Sequence, residues 1–469
     1  MKRKKLLRTV FVAALFVCLG VMPIHVAAQM TFTFRSGVTA TTATNPMDGS
    51  TNITVPAGTN LSGLITAVQI DGTTINASQI TPNPTTTNIE YGQLEVFTYN
   101  NKAYGFRFVE DVWFCAVVFS DPHTVNSNGS GEMSVADLTT MTNNIIAMGN
   151  NGVAKVNFTG VDGLPSGFIP KTSIVFCLGD VDNDKGDDGS NGKHTRFLGA
   201  TADIYKTAHI PFIFIAGNHD LSPDYWGSSN SDKGVTYGST GGSNADDQTI
   251  SAIKTNNSYW SSYFDSDGAL QYFTGGSGAF QPNHFTFKFH DVRFYCANGY
   301  WFQKPYAKPG LLSSATYYAP DGIVSALETF VGNHTTEASV WLQHYSLNYG
   351  SDIKRWWLDQ NSGGYYIKTS NSSSYGTDVD VEQYSNTGGT ATQYANAKRD
   401  KYASLIEQTV NPFHFSGHAH AMADDSWTNN SHNVTGKVVT SANSSGNNAY
   451  VVLLKKGEGV KAVLPANFH

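Results

Sequence analysis

The chain has 469 residues, 40% of them hydrophobic, enough for one large domain with additions or for two domains. Its 37 acidic and 30 basic side chains leave a net charge of −7, which argues against binding nucleic acid or anionic lipid through bulk charge. Only 14% of residues are charged while Gly, Ser, Thr and Asn are plentiful, a balance that predicts long polar loops rather than charge-driven disorder.

Residues 1–29 read as a targeting segment outside the fold. Met1 to Lys5 is basic, Val10 to Val21 is apolar, and Val26-Ala27-Ala28 offers a small-residue cleavage site, placed near Ala28. The apolar run is shorter than the ~20 residues of a membrane span, so we expect no transmembrane span in the mature chain. The expected destination is periplasmic, cell-surface or secreted. A lipid anchor on Cys18 is a poor match because bulky Val17 precedes it. Removing Lys2, Arg3, Lys4, Lys5 and Arg8 takes the basic count to 25 against 37 acidic, a net −12.

Residues 30–109 predict a small β-rich domain. Short alternating runs such as Leu94 to Tyr99 are punctuated by Asp71-Gly72 and Asn100-Asn101, with no catalytic constellation among them. Residues 110–469 differ. Val112 to Phe119 is an apolar strand followed by Ser120-Asp121-Pro122-His123, and Ser173 to Leu178 is followed by Gly179-Asp180. Pro211 to Ile215 then runs into Gly217-Asn218-His219-Asp220. Between these strands, Ser134 caps a helix with Val135, Leu138, Met141, Ile145 and Met148 on one face, and Thr195 to Ala208 repeats the pattern. Strand, helix, strand, helix, strand is the signature of a sheet with parallel crossovers.

Residues 221–283 predict a long loop insertion, which either covers the strand ends or decorates the surface. Phe285 to Cys296 reads as a hairpin turning at His290-Asp291, with His290 on the surface. A helix over 322–331 precedes the strand Ala338 to Leu342, which ends in Gln343-His344. Residues 350–395 predict a second polar loop, and a helix over 397–408 leads to Pro412 to Phe415 before Gly417-His418-Ala419-His420. Val438 to Thr440 and Tyr450 to Leu454 close the chain as antiparallel strands. Cys115, Cys177 and Cys296 lie inside apolar runs and predict buried thiols rather than a disulfide framework.

Five apolar strands thus each end in Asp, His or Asn, and the carboxyl ends of strands in open α/β sheets converge on ligands. Carboxylate oxygens with imidazole nitrogens suit divalent first-row metals such as Mn²⁺, Fe²⁺ or Zn²⁺. Taken together and in this order, Asp-x-His at 121–123, Gly-Asp at 179–180, Gly-Asn-His-Asp at 217–220, His344 and Gly-His-x-His at 417–420 resemble the calcineurin-like metallophosphoesterase family over residues 110–425.

That resemblance implies a four-layer α/β/β/α sandwich, here behind a small N-terminal β domain, and a centre of two divalent metal ions. It implies that Asp121, His123 and His420 hold the first metal and that Asn218, His344 and His418 hold the second, with Asp180 bridging both. His219 would stabilise transition-state charge or protonate the leaving oxygen, and Asp220 would orient His219. The implied activity is a dinuclear hydrolase cleaving phosphate esters through a metal-bound hydroxide, on a small-molecule or lipid-type substrate. The alternatives are a phosphodiesterase of cyclic nucleotides or lipid-type diesters, and a non-catalytic surface binding protein on the same scaffold. Asn183 stands where purple acid phosphatases carry a tyrosine ligand, so the resemblance does not extend to them. Asp182, Asn183 and Asp184 read as a solvated turn, and His194, Asn298, Tyr300 and Tyr345 as candidates for substrate contact.

Overall fold

The computed structural model describes residues 29–45, 48–126, 132–149, 156–164, 171–182, 194–217, 220, 245–273, 284–297, 320–347, 366–369, 379–382, 402–429 and 432–469. They form a mixed α/β protein in which strands outweigh helices. Two compact units result, one built from the chain up to Asp111 with Thr159–Phe168, the other from Val112–Phe158 and Ile169–His469. The stretch 1–29 expected to be a targeting segment lies, apart from Gln29, outside the described residues. Among the described residues no helix is long and apolar enough to cross a membrane.

The first unit consists of a three-stranded sheet (Met30–Phe34, Ile65–Ile70, Thr73–Ile75) and a four-stranded one (Thr41–Thr44, Thr51–Val55, Lys102–Glu110, Glu95–Tyr99). Period-2 burial drives it. Phe32 packs edge-on to Phe97 and tilts against Phe106, in a core with Ile53, Val55, Leu64, Val68 and Phe108. Thr159–Phe168 joins this unit because Leu164 lies against Gly92, whose φ of +75° and lack of a Cβ permit the approach.

The second unit contains two large sheets. In the first, Phe212–Phe214, Thr172–Cys177 and Trp113–Phe119 run parallel, and Ala449–Lys455 and Gly459–Ala466 add antiparallel to the last of them. In the second, Val292–Ala297, Ala338–Gln343, Val410–Ser416 and His432–Val438 run parallel, with antiparallel strands at both margins. Every residue of Ala338–Gln343 and nearly every one of Trp113–Phe119 is buried, the mark of strands covered on both faces. Rings join the sheets: Phe176 stacks on Phe294 at 5.1 Å between centroids, and Phe114 meets Phe289 edge-on at 5.7 Å.

Helix Val135–Ala147 starts where Ser134 accepts a hydrogen bond from the Asp137 N–H, and it buries Leu138, Met141 and Ile145. The expected helix over 195–208 is two helices, Thr195–Ala200 and Ala202–Ala208, parted at Thr201 by a non-helical ψ of −80° with φ −130°. On the second sheet, Leu327 and Val331 of helix Pro320–Asn333 and Tyr402, Leu405 and Ile406 of the helical stretch 402–407 pack on Tyr295 and Trp341. The hairpin forms as His284–Phe289 with Val292–Ala297, and its two turn residues, His290 and Asp291, have φ of 52° and 57°.

Two expected loops are partly regular. The insertion over 221–283 contains helix Ala245–Tyr259 and strand Gln271–Phe273, which adds to the second sheet. Its buried residues Thr249, Ile253, Asn256 and Asn257, with Trp260 just beyond, follow a helical period that polar side chains conceal. Asn256 spends its amide on the Phe212 carbonyl at 2.7 Å, which makes its burial tolerable. The stretch 350–395 contains an antiparallel pair, Tyr366–Thr369 with Val379–Glu382. Among the described residues Cys115, Cys177 and Cys296 are buried and free, and burial holds their thiols well above the ordinary value.

Candidate metal centre

Strand ends from both sheets meet. The loops after Trp113–Phe119 and Thr172–Cys177 stay zipped together beyond their strands. Asp121 N–H donates to Gly179 O, His123 N–H to Asp180 O and Thr124 N–H to Val181 O, each at 3.0 Å. The loop after Ala338–Gln343 reaches the one after Val410–Ser416 through Gly417 N–H to His344 O at 2.9 Å. The second-sheet loops meet the first sheet where His418 N–H donates to Asp121 Oδ2 at 3.0 Å and His344 Nδ1 meets Leu178 O at 2.7 Å. The Leu178 carbonyl needs a donor, so His344 carries its proton on Nδ1 and turns Nε2 toward the centre.

Glycines make this convergence feasible. A Cβ on Gly217 would collide with Asp180 Oδ1 and come within 2.7 Å of His344 Cε1. A Cβ on Gly417 would collide with Ser120 Oγ and stand 2.8 Å from Asp121 Oδ2. The ligand-type residues themselves hold left-handed backbone, with φ of 52° at Asp121, 43° at His123, 50° at Asp180, 62° at His418 and 50° at His420. Such conformations persist in non-glycine residues when the surrounding structure over-determines them, and they cluster at functional sites.

Two groups of side chains result, Asp121 with His123 and His420, and Asp180 with His344 and His418; in each, one ligand atom per residue lies within 4.8 Å of the others. Either group could hold a metal ion. In the first, Asp121 Oδ1 is 3.2 Å from His420 Nε2, and the His123 and His420 Nε2 atoms face each other at 3.4 Å. In the second, Asp180 Oδ2 is 3.3 Å from His344 Nε2, and the same oxygen is 3.8 Å from His123 Nε2 in the first group. Donors about 2.1 Å from one cation sit ~3–3.5 Å apart, so this spacing fits ligation. Asp121 Oδ1 is buried with the His420 ring nitrogen as its polar neighbour, a pair of donor atoms that one cation could take up together.

The electrostatics agree. Burial pushes the Asp121 carboxyl up, but His420 beside it and the charge of His344 pull it below its ordinary value. Burial alone would lower His344, yet Asp180, then Asp121 and the Leu178 carbonyl, raise it to about 10. Asp121 likewise raises His420, whereas burial drives His418 down to about 3. Excess negative charge is thus being neutralised by protons where a cation would serve.

No family model and no curated protein matches this chain. The site is therefore argued from its own geometry. The structure brings together six of the nine residues expected from sequence: Asp121, His123, Asp180, His344, His418 and His420. Asn218 and His219 lie outside the described residues. Asp220 is buried, and its carboxylate accepts from Gly217 N–H at 2.8 Å, Val181 N–H at 3.0 Å and Asp182 N–H at 3.4 Å. It therefore staples the Gly179 and Gly217 loops together.

Two readings of neighbouring residues change. Asp182 is not a solvated turn residue; it is 1% exposed and its carboxylate lies 2.6 Å from His194 Nδ1. His194 is equally buried, behind the ligand loops. Tyr345 packs its ring edge-on against His344 and His418, bracing both. Asn183, Asp184, Asn298 and Tyr300 lie outside the described residues. Sequence reasoning missed Asp425, fully buried, whose Oδ2 accepts from Leu347 N–H at 2.8 Å and Ser416 Oγ at 2.9 Å. It ties the His344 loop to the His418 loop as Asp220 ties the other two. An acidic pair, Asp424-Asp425, just before the edge strand Trp427–Asn429 was the only signal.

Proposed function

We propose that the protein is an exported hydrolase of phosphate esters that uses two divalent cations, Mn, Fe or Zn, on a four-layer α/β/β/α metallophosphoesterase scaffold. The observation that carries this reading is Asp180, whose Oδ2 faces His344 of one group and His123 of the other. A shared carboxylate is what two closely spaced cations require to offset their repulsion. Asp121, His123 and His420 would hold one cation, and Asp180, His344 and His418 the other, with Asn218 completing it. Bound there, the pair would supply Lewis acidity toward the phosphoryl oxygens and acidify a water enough to attack at neutral pH.

The chain's own contribution is placement. The His344 proton on Nδ1 is fixed by Leu178 O, leaving Nε2 as a lone-pair donor. Asp121 Oδ2 is held by the His418 N–H, leaving Oδ1 for the cation. His420, with 44% of its side chain exposed, marks the side open to solvent and therefore to substrate. His219, one residue before the stapled Asp220, would stabilise charge or give a proton to the leaving oxygen.

The test is metal content by elemental analysis of the purified protein together with hydrolysis of an aryl phosphate monoester and an aryl diester. About two cations per chain and turnover lost in Asp180→Asn would support the reading, and the faster ester would name the substrate class. A protein that takes up no Mn²⁺ or Zn²⁺ would overturn it.

A further inference from the structure

Behind the ligand loops runs a chain of buried polar groups that the proposed reaction does not use. Asp182 Oδ2 is 2.6 Å from His194 Nδ1, and His194 Nε2 is 2.9 Å from Thr249 Oγ1. The Thr249 hydroxyl in turn donates to the Asp220 carbonyl at 3.0 Å. Asp182 is 1% exposed, and His194, Thr249 and Asp220 are wholly buried. Four residues from separate parts of the chain thus form one continuous line.

The proton inventory fixes its direction. Thr249 has a single hydroxyl proton, and it goes to the Asp220 carbonyl. The threonine oxygen can then only accept from His194, so Nε2 carries a proton. On the other side the ring meets a carboxylate at a charge-assisted distance, with a proton between Nδ1 and Oδ2. The ring is anchored at both nitrogens, and its own backbone is held at φ 53°.

We propose that His194 is a positioning residue that fastens helix Ala245–Tyr259 to the Asp220 turn and to the loop after Asp180, presetting the cation ligands those loops carry. The inference rests on the two-cation reading. The mechanical path is short. Asp220, gripped through its carbonyl by Thr249, grips Gly217, Val181 and Asp182 through its carboxylate. The Gly217 backbone in turn abuts Asp180 and His344, as the collision of an added Cβ shows. A helix from what reads as an insertion therefore reaches the centre through two hydrogen bonds. Outer partners hydrogen-bonded directly to a ligand set metal affinity by about 10–100-fold, and this line, one step further out, should act below that.

The experiment compares Thr249→Val, nearly isosteric but without the hydroxyl, with Thr249→Ser and His194→Gln, all in the full chain. Mn²⁺ uptake is followed by equilibrium dialysis, and unfolding of the cation-free proteins is recorded alongside. We expect Thr249→Val and His194→Gln to weaken uptake of at least one cation severalfold, short of the roughly 10–100-fold that loss of a direct ligand partner costs, and Thr249→Ser to restore it. Hydrolysis should fall in kcat more than in KM at limiting Mn²⁺. Uptake at wild-type affinity in Thr249→Val or His194→Gln, whatever their melting temperatures, would make the line purely structural and overturn the proposal. Should Thr249→Val fail to fold, His194→Gln decides alone. Wild-type protein that takes up no Mn²⁺ would overturn the two-cation reading itself, a result seen before any variant is made.

Discussion

The two ligand groups are built alike but seated differently. Asp121 and His123 come from the first sheet and His420 from the second; Asp180 comes from the first and His344 and His418 from the second. Each group therefore joins both sheets. Yet 44% of the His420 side chain is exposed, whereas those of His344 and Asp180 are 0% and 2% exposed. A cation in the first group would meet solvent more directly through exposed His420; one in the second, where His418 is half-buried, would be the more enclosed. The difference teaches that, of two proposed cations that would both join the sheets, one is the better placed for exchange and substrate.

The comparison breaks most sharply at the shared residue. Asp180→Asn should cost both groups at once, lowering turnover by about 10²-fold or more, measured as kcat against an aryl phosphate. Next in size, a chelator should strip the protein in two phases, the exposed group first. Loss of the enclosed cation should lower the melting temperature more, since a ligand at 100 times its Kd stabilises by about 2.7 kcal/mol. Calorimetry during the titration would show whether the phases are distinct; a single phase with no change in melting temperature would remove the asymmetry.

The proton content sharpens the same contrast. With its pKa raised to about 10 by Asp180 and Asp121, against burial, His344 keeps a second proton in the cation-free protein at neutral pH. A cation must displace it. Loading of the enclosed group should therefore release protons and tighten as pH rises from 6 toward 9, seen as buffer-dependent heats in titration calorimetry. The smallest effect lies in the other unit. Burial pushes Asp48 up, but hydrogen bonds from Ser50 and Arg107 hold it below its ordinary 3.8. A depressed carboxyl stabilises fully above that ordinary value and loses its contribution as pH falls from there through its lower folded-state value. Asp48 is more than a third exposed, so Asp48→Asn should cost less than about 1 kcal/mol at pH 6 and progressively less as pH falls below 3.8, read by hydrogen exchange along Lys102–Glu110.

Much of the second unit is legible because its strands are largely apolar and their polar ends stand out. Trp113–Phe119, Thr172–Cys177 and Ala338–Gln343 announce both themselves and the residues after them. That the strands divide between two sheets is not legible, because a parallel strand buried on both faces reads the same in either. Helix Ala245–Tyr259 hides for the opposite reason: beside Ile253 its inner face carries Thr249, Asn256 and Asn257, buried in position but polar in type. Asp182, His194 and Asp425 were obscured in the same manner. A buried ion pair and a solvated turn have the same composition, and only the partner tells them apart.

The three thiols have a use of their own. Cys115 and Cys177 lie in the first sheet and Cys296 in the second, all shielded and held protonated by burial. A thiol reagent can reach them only when a sheet opens. Their labelling rates would clock the opening of each sheet separately, with no engineered probe. Whether cation removal quickens Cys296 and Cys177 together or in turn would tell whether the two halves part as one.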